Sequence, residues 1–187
     1  YRLAHRQYIL FVGTLEPRKN LVRTLRAYAA LPAGLKQRYP LVIVGMTGWL
    51  TDEITRELND PGQRKYVRSL KYVPDTQLPA LYAGAAMLVY PSLYEGFGMP
   101  LSEAMACRVP VITSTCASMP EVAGDAGVLV NPLDVDAIAG AMRELAEDPA
   151  EAARRGTLGI ARAAGFTWEN CACRTLAVYQ QCVKPSP

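Results

Sequence analysis

The sequence predicts an α/β fold: a Rossmann-like, doubly wound parallel sheet of about six strands, with helices on both faces and a helical C-terminal segment. Three observations carry this prediction. Short, near-continuous apolar runs of strand length recur along the chain, as expected for strands buried on both faces. Between them lie stretches with apolar residues at helical spacing, so successive strands run parallel through right-handed crossovers. After Val130 the strand-like runs stop and helical patterns fill the rest.

The first strand is Tyr8–Val12 (YILFV), stopped by Gly13. Leu21, Leu25 and Tyr28 then repeat at helical spacing, with Val22 and Ala29 widening the apolar face. Leu41–Val44 (LVIV) is the next strand, ended by Gly45. Val67–Val73 is a weaker strand ended by Pro74, and Asp75 is placed to cap a helix carrying Leu78, Leu81 and Tyr82. Ala86–Tyr90 (AMLVY) is stopped by Pro91, and a loop and short helix lead to Cys107. Pro110–Thr113 and Val128–Val130 complete the strands. Val135, Ile138, Met142 and Leu145 form one apolar helix face. Asp148-Pro149-Ala150-Glu151 supplies a cap, a first-turn proline and an acidic first turn. Thr167-Trp168-Glu169 starts a last helix through Tyr179. Residues 1–7 read as a linker and 183–187 as a frayed tail, leaving 1–187 as a single domain.

Half of the 187 residues are hydrophobic, a fifth are charged, and Gly and Pro number 14 each. That composition excludes disorder, collagen and coiled coil. A chain of this length buries roughly 70% of its unfolded surface and needs no disulfide or metal staple. A net charge of +3 is too small to indicate nucleic acid. No apolar run approaches the roughly 18 residues of a membrane helix. No signal peptide pattern is present, so a cytoplasmic location is expected. The first residue is Tyr1 rather than Met, which reads as a fragment. Five cysteines without ligand spacing read as small core residues in a reducing compartment, His5 has no partner pattern, and no metal site is expected.

Folds of this class bind ligands at the carboxyl ends of their strands. The first such loop, Gly13-Thr14-Leu15-Glu16-Pro17-Arg18-Lys19-Asn20, puts two adjacent cations near a helix N-terminus. The helix dipole disfavours cations there, and a bound anion would favour them; a solvated basic turn is the plain alternative. No Gly-x-Gly-x-x-Gly follows the strand, which argues against a dinucleotide oxidoreductase. The loop after Tyr90 runs Pro91-Ser92-Leu93-Tyr94-Glu95-Gly96-Phe97-Gly98-Met99-Pro100-Leu101-Ser102-Glu103. Its glycines permit close backbone approach, and Pro100 suits a first helical turn whose free N–H groups can receive phosphate or sugar oxygens. Glu95 before the glycines and Glu103 behind them are placed to hold hydroxyls on either side of a diphosphate. As a plain turn, the segment would account for Glu103 through the helix dipole but not for Glu95. The third loop, Ser114 to Glu121, is small and hydroxyl-rich, which leaves room for a ligand.

PSLYEGFGMPLSEAMACRVPVITS…MPEVAG resembles the donor-binding half of family 4 retaining glycosyltransferases, which have the two-domain GT-B fold. Glu95 and Glu103 match that family's Glu-x7-Glu signature, and GTLEPRKN, KYVPDTQLPALYAGA, GVLVNPLDVDAIAGAM and FTWEN…VY match further landmarks from about Tyr8 to Tyr179. The resemblance implies a nucleoside diphosphate sugar as donor, with GDP-mannose first and a UDP-sugar second, and no metal or other cofactor. Lys19, helped by Arg18, would neutralise the diphosphate and grip it harder as the sugar leaves. Glu95 would orient the sugar through its hydroxyls, without acting as a nucleophile, since the family's usual route is front-face. Glu103 would hold the ribose hydroxyls. Gly13 and Thr14 fall in the phosphate loop. The backbone of Gly96, Phe97, Gly98, Met99, Pro100 and Leu101 would contact phosphate and sugar oxygens. Tyr72 and Val73 would pack on or hydrogen-bond the base, and Ser114 and Thr115 would line the sugar or phosphate pocket.

The resemblance also implies an absent N-terminal acceptor domain, a last helix crossing to it, and a glycan or lipid-linked acceptor in bacterial surface polysaccharide synthesis. The whole enzyme would then work in the cytoplasm, or peripherally at the inner face of the membrane. Two positions depart from the family. Thr14 stands where many members carry Arg, and Arg108 stands where Gly is frequent, so that Arg108 is expected to stiffen or crowd its turn. A non-catalytic nucleotide-sugar-binding module and a GT-B-like epimerase acting on UDP-sugars are the competing readings; the absence of His from the central region counts against the epimerase.

Overall fold

The computed structural model describes residues 1–49 and 52–183; the Pro185-Ser186-Pro187 tail lies outside the described residues. The strands are β1 (Ile9–Val12), β2 (Leu41–Val44), β3 (Val67–Lys71), β4 (Met87–Tyr90), β5 (Val111–Ser114) and β6 (Gly127–Val130). Helices α1 (Leu21–Ala29) and α2 (Ala33–Arg38) follow β1, and α3 (Asp52–Leu58) and α4 (Pro61–Arg64) follow β2. After β3 comes α5 (Leu78–Gly84), after β4 α6 (Met99–Ala106), and after β5 α7 (Met119–Ala123). The chain closes with α8 (Val135–Glu147), α9 (Pro149–Ala163) and α10 (Trp168–Cys182).

All pairings are parallel, in the order β3-β2-β1-β4-β5-β6. The order reverses between β1 and β4, which is the topological switch point where ligands bind in open sheets. Alternation along the strands builds two cores. Ile9, Phe11, Leu41, Ile43, Met87 and Val89 face Leu21, Leu25, Ile138 and Met142 from α1 and α8. Leu10, Val42, Leu88 and Tyr90 face Leu81, Leu101, Met105 and Met119 from α5, α6 and α7. The central strands are buried throughout, which is why they read as continuous apolar runs.

The strand positions agree with the expected ones to within one residue, except at β3, which ends two residues early. That strand ends at Lys71, whose φ of 57° takes Tyr72 and Val73 off the ladder. Asp75 caps nothing: α5 begins at Leu78 after Gln77, and Pro74 accepts the Gln77 and Leu78 N–H groups in a turn that does the cap's work. Helices α2, α3 and α4 were not expected; each is short and buries few residues, so none leaves an apolar face in the sequence. Three of the five cysteines are not core residues: Cys171, Cys173 and Cys182 are exposed on α10, while Cys107 and Cys116 are half-buried and Cys107 packs against the second core. Among the described residues no helix is long and apolar enough to cross a membrane.

Gly45 closes the switch point from the β2 side. Its φ is +154°, and a Cβ there would lie 1.9 Å from the Gly13 carbonyl oxygen. The two loops are further joined by Leu15 N–H to Met46 O and Gly48 N–H to Leu15 O. Only glycine lets them lie this close.

Candidate functional site

The loop after β1 turns through a short 3-10 segment, Pro17–Lys19, and ends at Asn20, which has a left-handed φ of 62°. Asn20 is buried, and its amide donates to the carbonyls of Pro91 (3.0 Å) and Pro132 (2.7 Å). One side chain thereby ties the loops after β1, β4 and β6. The Leu93 N–H donates to the Arg18 carbonyl at 2.8 Å, a second tie between the first two.

These ties bring Arg18, Lys19 and Glu95 together at the switch point. Lys19 Nζ donates to Glu95 Oε1 and to Tyr90 Oη, both at 2.6 Å. Tyr90 Oη donates to the same Glu95 Oε1 at 2.7 Å. Arg18 donates to Glu95 Oε2 at 2.7 Å and pairs with Glu16 at 2.6 Å. The Lys19 and Glu95 side chains are 10% and 9% exposed, while that of Arg18 is 43% exposed. Burial by itself would raise the Glu95 carboxyl, but hydrogen bonds from Lys19, Tyr90 and Arg18 outweigh it and hold the group below the usual carboxylate range. Burial pushes the Tyr90 phenol well above its ordinary value, and the bond to Glu95 pushes it further. Trp49 donates to Glu16 at 3.0 Å, which extends the network to the rim.

Behind the cluster, Gly98 caps α6 at φ +90°, where a Cβ would meet Met119 Cε at 2.5 Å. Pro100 has no N–H, and the Leu101 N–H already donates to the Gly98 carbonyl. Leu101 is itself buried in the core, so the donors left for a ligand are those of Gly96, Phe97, Gly98 and Met99, which take part in no loop hydrogen bond. Phe97 packs edge-on against Phe166, with centroids 5.2 Å apart. Glu103 lies one turn into α6 and accepts from Tyr82 Oη at 2.7 Å. Burial, then the Glu103 charge, pushes the Tyr82 phenol far up, so it remains a donor.

The other expected positions divide. Gly13, Thr14 and Thr115 lie at the carboxyl edge of the sheet, with Thr14 and Thr115 exposed. Tyr72 is 64% exposed, whereas Val73 is buried. Ser114 points inward, donating to the Ser92 carbonyl at 2.6 Å, so its hydroxyl supports the Glu95 loop from below and lines no open pocket. Ser118 supports the same loop by donating to the Glu95 carbonyl at 2.9 Å. Arg108 adopts a left-handed φ of 59°, the conformation that suits glycine at this turn.

The site residues that sequence reasoning missed are Tyr90, Tyr82, Glu16 and Asn20. A tyrosine ending an otherwise apolar buried strand must find a partner for its hydroxyl, and that was the available signal for Tyr90. Hollows of about 500 Å³ between residues 1–8 and α5, and about 270 Å³ at the amino edge of the sheet, contain none of the cluster. The cluster lies at the carboxyl edge of the sheet, on the side opposite the second hollow. Among the described residues, no group of three or more His, Cys, Asp or Glu side chains is arranged to hold a metal ion.

Comparison with known proteins shows the family and the fold. Residues 3–160 match the family model described as glycosyl transferases group 1. The chain is 46% identical over 181 residues to the O-antigen chain mannosyltransferase B of Escherichia coli, covering 96% of this chain and 47% of that protein. Sucrose-phosphate synthase of Thermosynechococcus elongatus superposes with a TM-score of 0.81 at 28% identity, over 94% of this chain and 45% of that one. Anabaena HepE, solved in complex with UDP-glucose, superposes with a TM-score of 0.76 at 22% identity, over 84% of this chain and 44% of that one. The chain spans under half the length of the curated relatives it matches, and only 21% of the serotype-specific mannosyltransferase WbdA of Escherichia coli.

Proposed function

Because the chain belongs to the group 1 glycosyl transferases, we propose that it is the donor-binding half of a retaining GT-B enzyme that transfers mannose from GDP-mannose to a glycan or lipid-linked acceptor in bacterial surface polysaccharide synthesis. The observation that carries the reading is the convergence of Arg18, Lys19 and Glu95 at the β1/β4 switch point. Two cations and four unbonded backbone donors lie in the loops after β1 and β4, as a diphosphate requires, and Glu95 and Glu103 stand before and behind those donors in the chain, as sugar and ribose hydroxyls require. Likeness to a mannosyltransferase over nearly the whole chain supports the sugar.

Lys19 and Arg18 bind the diphosphate and stabilise the charge that develops as the sugar departs. Glu95 orients the sugar, and Glu103 takes the ribose. The exposed α10, with Trp168, Leu176 and Tyr179 uncovered, is where the acceptor half would seat. The chain by itself then binds donor and transfers little or nothing.

A UDP-sugar is the second reading for the donor, favoured by the UDP-glucose bound in Anabaena HepE. Calorimetric titration of the chain with GDP, UDP and ADP tests both. A saturable preference for GDP, lost in Lys19→Ala, is expected. Preference for UDP would move the donor to the second reading, and no binding in the chain or in its full-length protein would overturn donor binding altogether.

A further inference from the structure

The cluster contains one group that neither the sequence patterns nor the family assignment singles out. Tyr90 ends β4 with its side chain fully buried, and its hydroxyl closes a triangle with Lys19 and Glu95. We propose that the Tyr90 hydroxyl is a positioning group: it fixes the Lys19 ammonium and the Glu95 carboxylate so that each offers one remaining bond, Lys19 to a phosphate oxygen and Glu95 to a sugar hydroxyl. The proposal rests on the nucleoside diphosphate sugar reading above.

Donor and acceptor counting carries the argument. An ammonium has three N–H donors, and Lys19 spends two of them, on Tyr90 Oη and Glu95 Oε1. A carboxylate has about four acceptor sites. Glu95 Oε1 takes Lys19 and Tyr90, and Oε2 takes Arg18, so one site is left on Oε2. The Tyr90 hydroxyl spends its proton on Glu95 and its oxygen on Lys19, and burial keeps that proton in place. The triangle is thus closed except for one donor and one acceptor, on side chains that each retain about a tenth of their surface. Without the hydroxyl, Lys19 holds Glu95 alone and a long flexible chain is left with two unspent donors, so its ammonium loses a fixed direction.

The test is titration of wild type and Tyr90→Phe with GDP and GMP, alone and in a Lys19→Met background. Phenylalanine fills the same buried space, and a thermal melt checks that the variant is folded. Tyr90→Phe is expected to weaken GDP by about tenfold and GMP by less than about twofold, the size expected for one hydrogen bond to a charged group. In the Lys19→Met background the substitution is expected to change nothing further, because the hydroxyl acts through Lys19. Equal loss of GDP and GMP, or an undiminished effect with Lys19 gone, would show a merely structural tyrosine and overturn the proposal. A wild type that prefers GDP to GMP beside a Tyr90→Phe that prefers it equally would overturn the proposal and leave donor binding intact. Where the wild type prefers UDP, the same comparison is made with UDP and UMP; a wild type that binds no nucleoside diphosphate would remove both. If Tyr90→Phe does not fold, the lysine ammonium resonances of the wild type decide the matter. One slowly exchanging Nζ signal that shifts with GDP is expected, and its absence would overturn the proposal.

Discussion

Lys19 Nζ and Glu95 Oε1 lie 2.6 Å apart, on side chains nine-tenths buried, whereas Arg18 reaches the other carboxylate oxygen from a side chain 43% exposed. The two cations therefore differ in what they contribute to folding. Breaking a buried pair leaves an uncompensated charge, while an exposed ion pair is worth about 0–1 kcal/mol. Lys19→Ala is expected to cost about 2–3 kcal/mol, below the full buried-pair value because Arg18 still meets Glu95. Arg18→Ala is expected to cost under about 1 kcal/mol. Denaturant midpoints of the two variants check this, and equal midpoints would contradict the assignment of Lys19 as the buried partner.

The same pair gives stability a pH dependence of known sign. Glu95 is held below its ordinary value when folded, so its contribution is fully present above the unfolded carboxyl pKa of about 4.3 and is lost as pH falls through the lower folded value. Unfolding free energy is expected to be flat above about pH 5 and to fall below about pH 4.3. Glu95→Gln, which cannot titrate, is expected to show a shallower acid fall than the wild type. Parallel acid limbs in denaturation curves at a series of pH values would show that Glu95 does not carry the effect.

How far the sequence was legible follows from where the physical signals lie. β1, β2, β4 and β5 are buried on both faces and read directly as apolar runs. β3 is an edge strand with three of its five residues exposed, so its end at Lys71 had no apolar boundary to mark it. Glu95 was visible because a carboxylate beside two glycines in a strand-end loop has few structural explanations, and Arg18 and Lys19 because adjacent cations near a helix N-terminus oppose its dipole. The inward turn of Ser114 was not visible, since a hydroxyl after a strand suits a pocket and a buried support equally. Tyr90 and Tyr82 were hidden inside apolar patterns, where a tyrosine counts as one more core residue until its hydroxyl is followed to Glu95 or Glu103.

Arg108 pays for a backbone conformation that glycine adopts freely. Its φ of 59° costs a non-glycine residue about 1–2 kcal/mol, against about 0.5–1 kcal/mol of unfolded-state entropy that glycine would bring. Its side chain offers little in return, for its one hydrogen bond is an exposed 3.2 Å contact with Thr157. Its carbonyl, which Arg6 does use, is kept by any residue. Arg108→Gly is expected to stabilise the chain by about 0.5 kcal/mol and to leave nucleotide affinity unchanged. A lowered thermal midpoint would show that the arginine side chain contributes more than its visible contacts.

Tyr82 and Glu103 give the proposed ribose contact its own test. The Tyr82 phenol, buried and far above its ordinary pKa, donates to Glu103 Oε2 and so fixes the carboxylate with Oε1 still free. A carboxylate held in this way can accept from a cis-diol without reorganising. Glu103→Gln is expected to weaken nucleotide binding about tenfold, as for loss of a charged acceptor. Tyr82→Phe, which only loosens the carboxylate, is expected to cost about two- to threefold. The diagnostic comparison uses 2′,3′-dideoxy-GDP, which lacks the hydroxyls in question. Wild type is expected to discriminate strongly against it, and Glu103→Gln to bind it about as well as GDP. If Glu103→Gln weakens GDP and the dideoxy nucleotide by the same factor, the carboxylate acts on α6 rather than on the ribose, and its place in the site is lost.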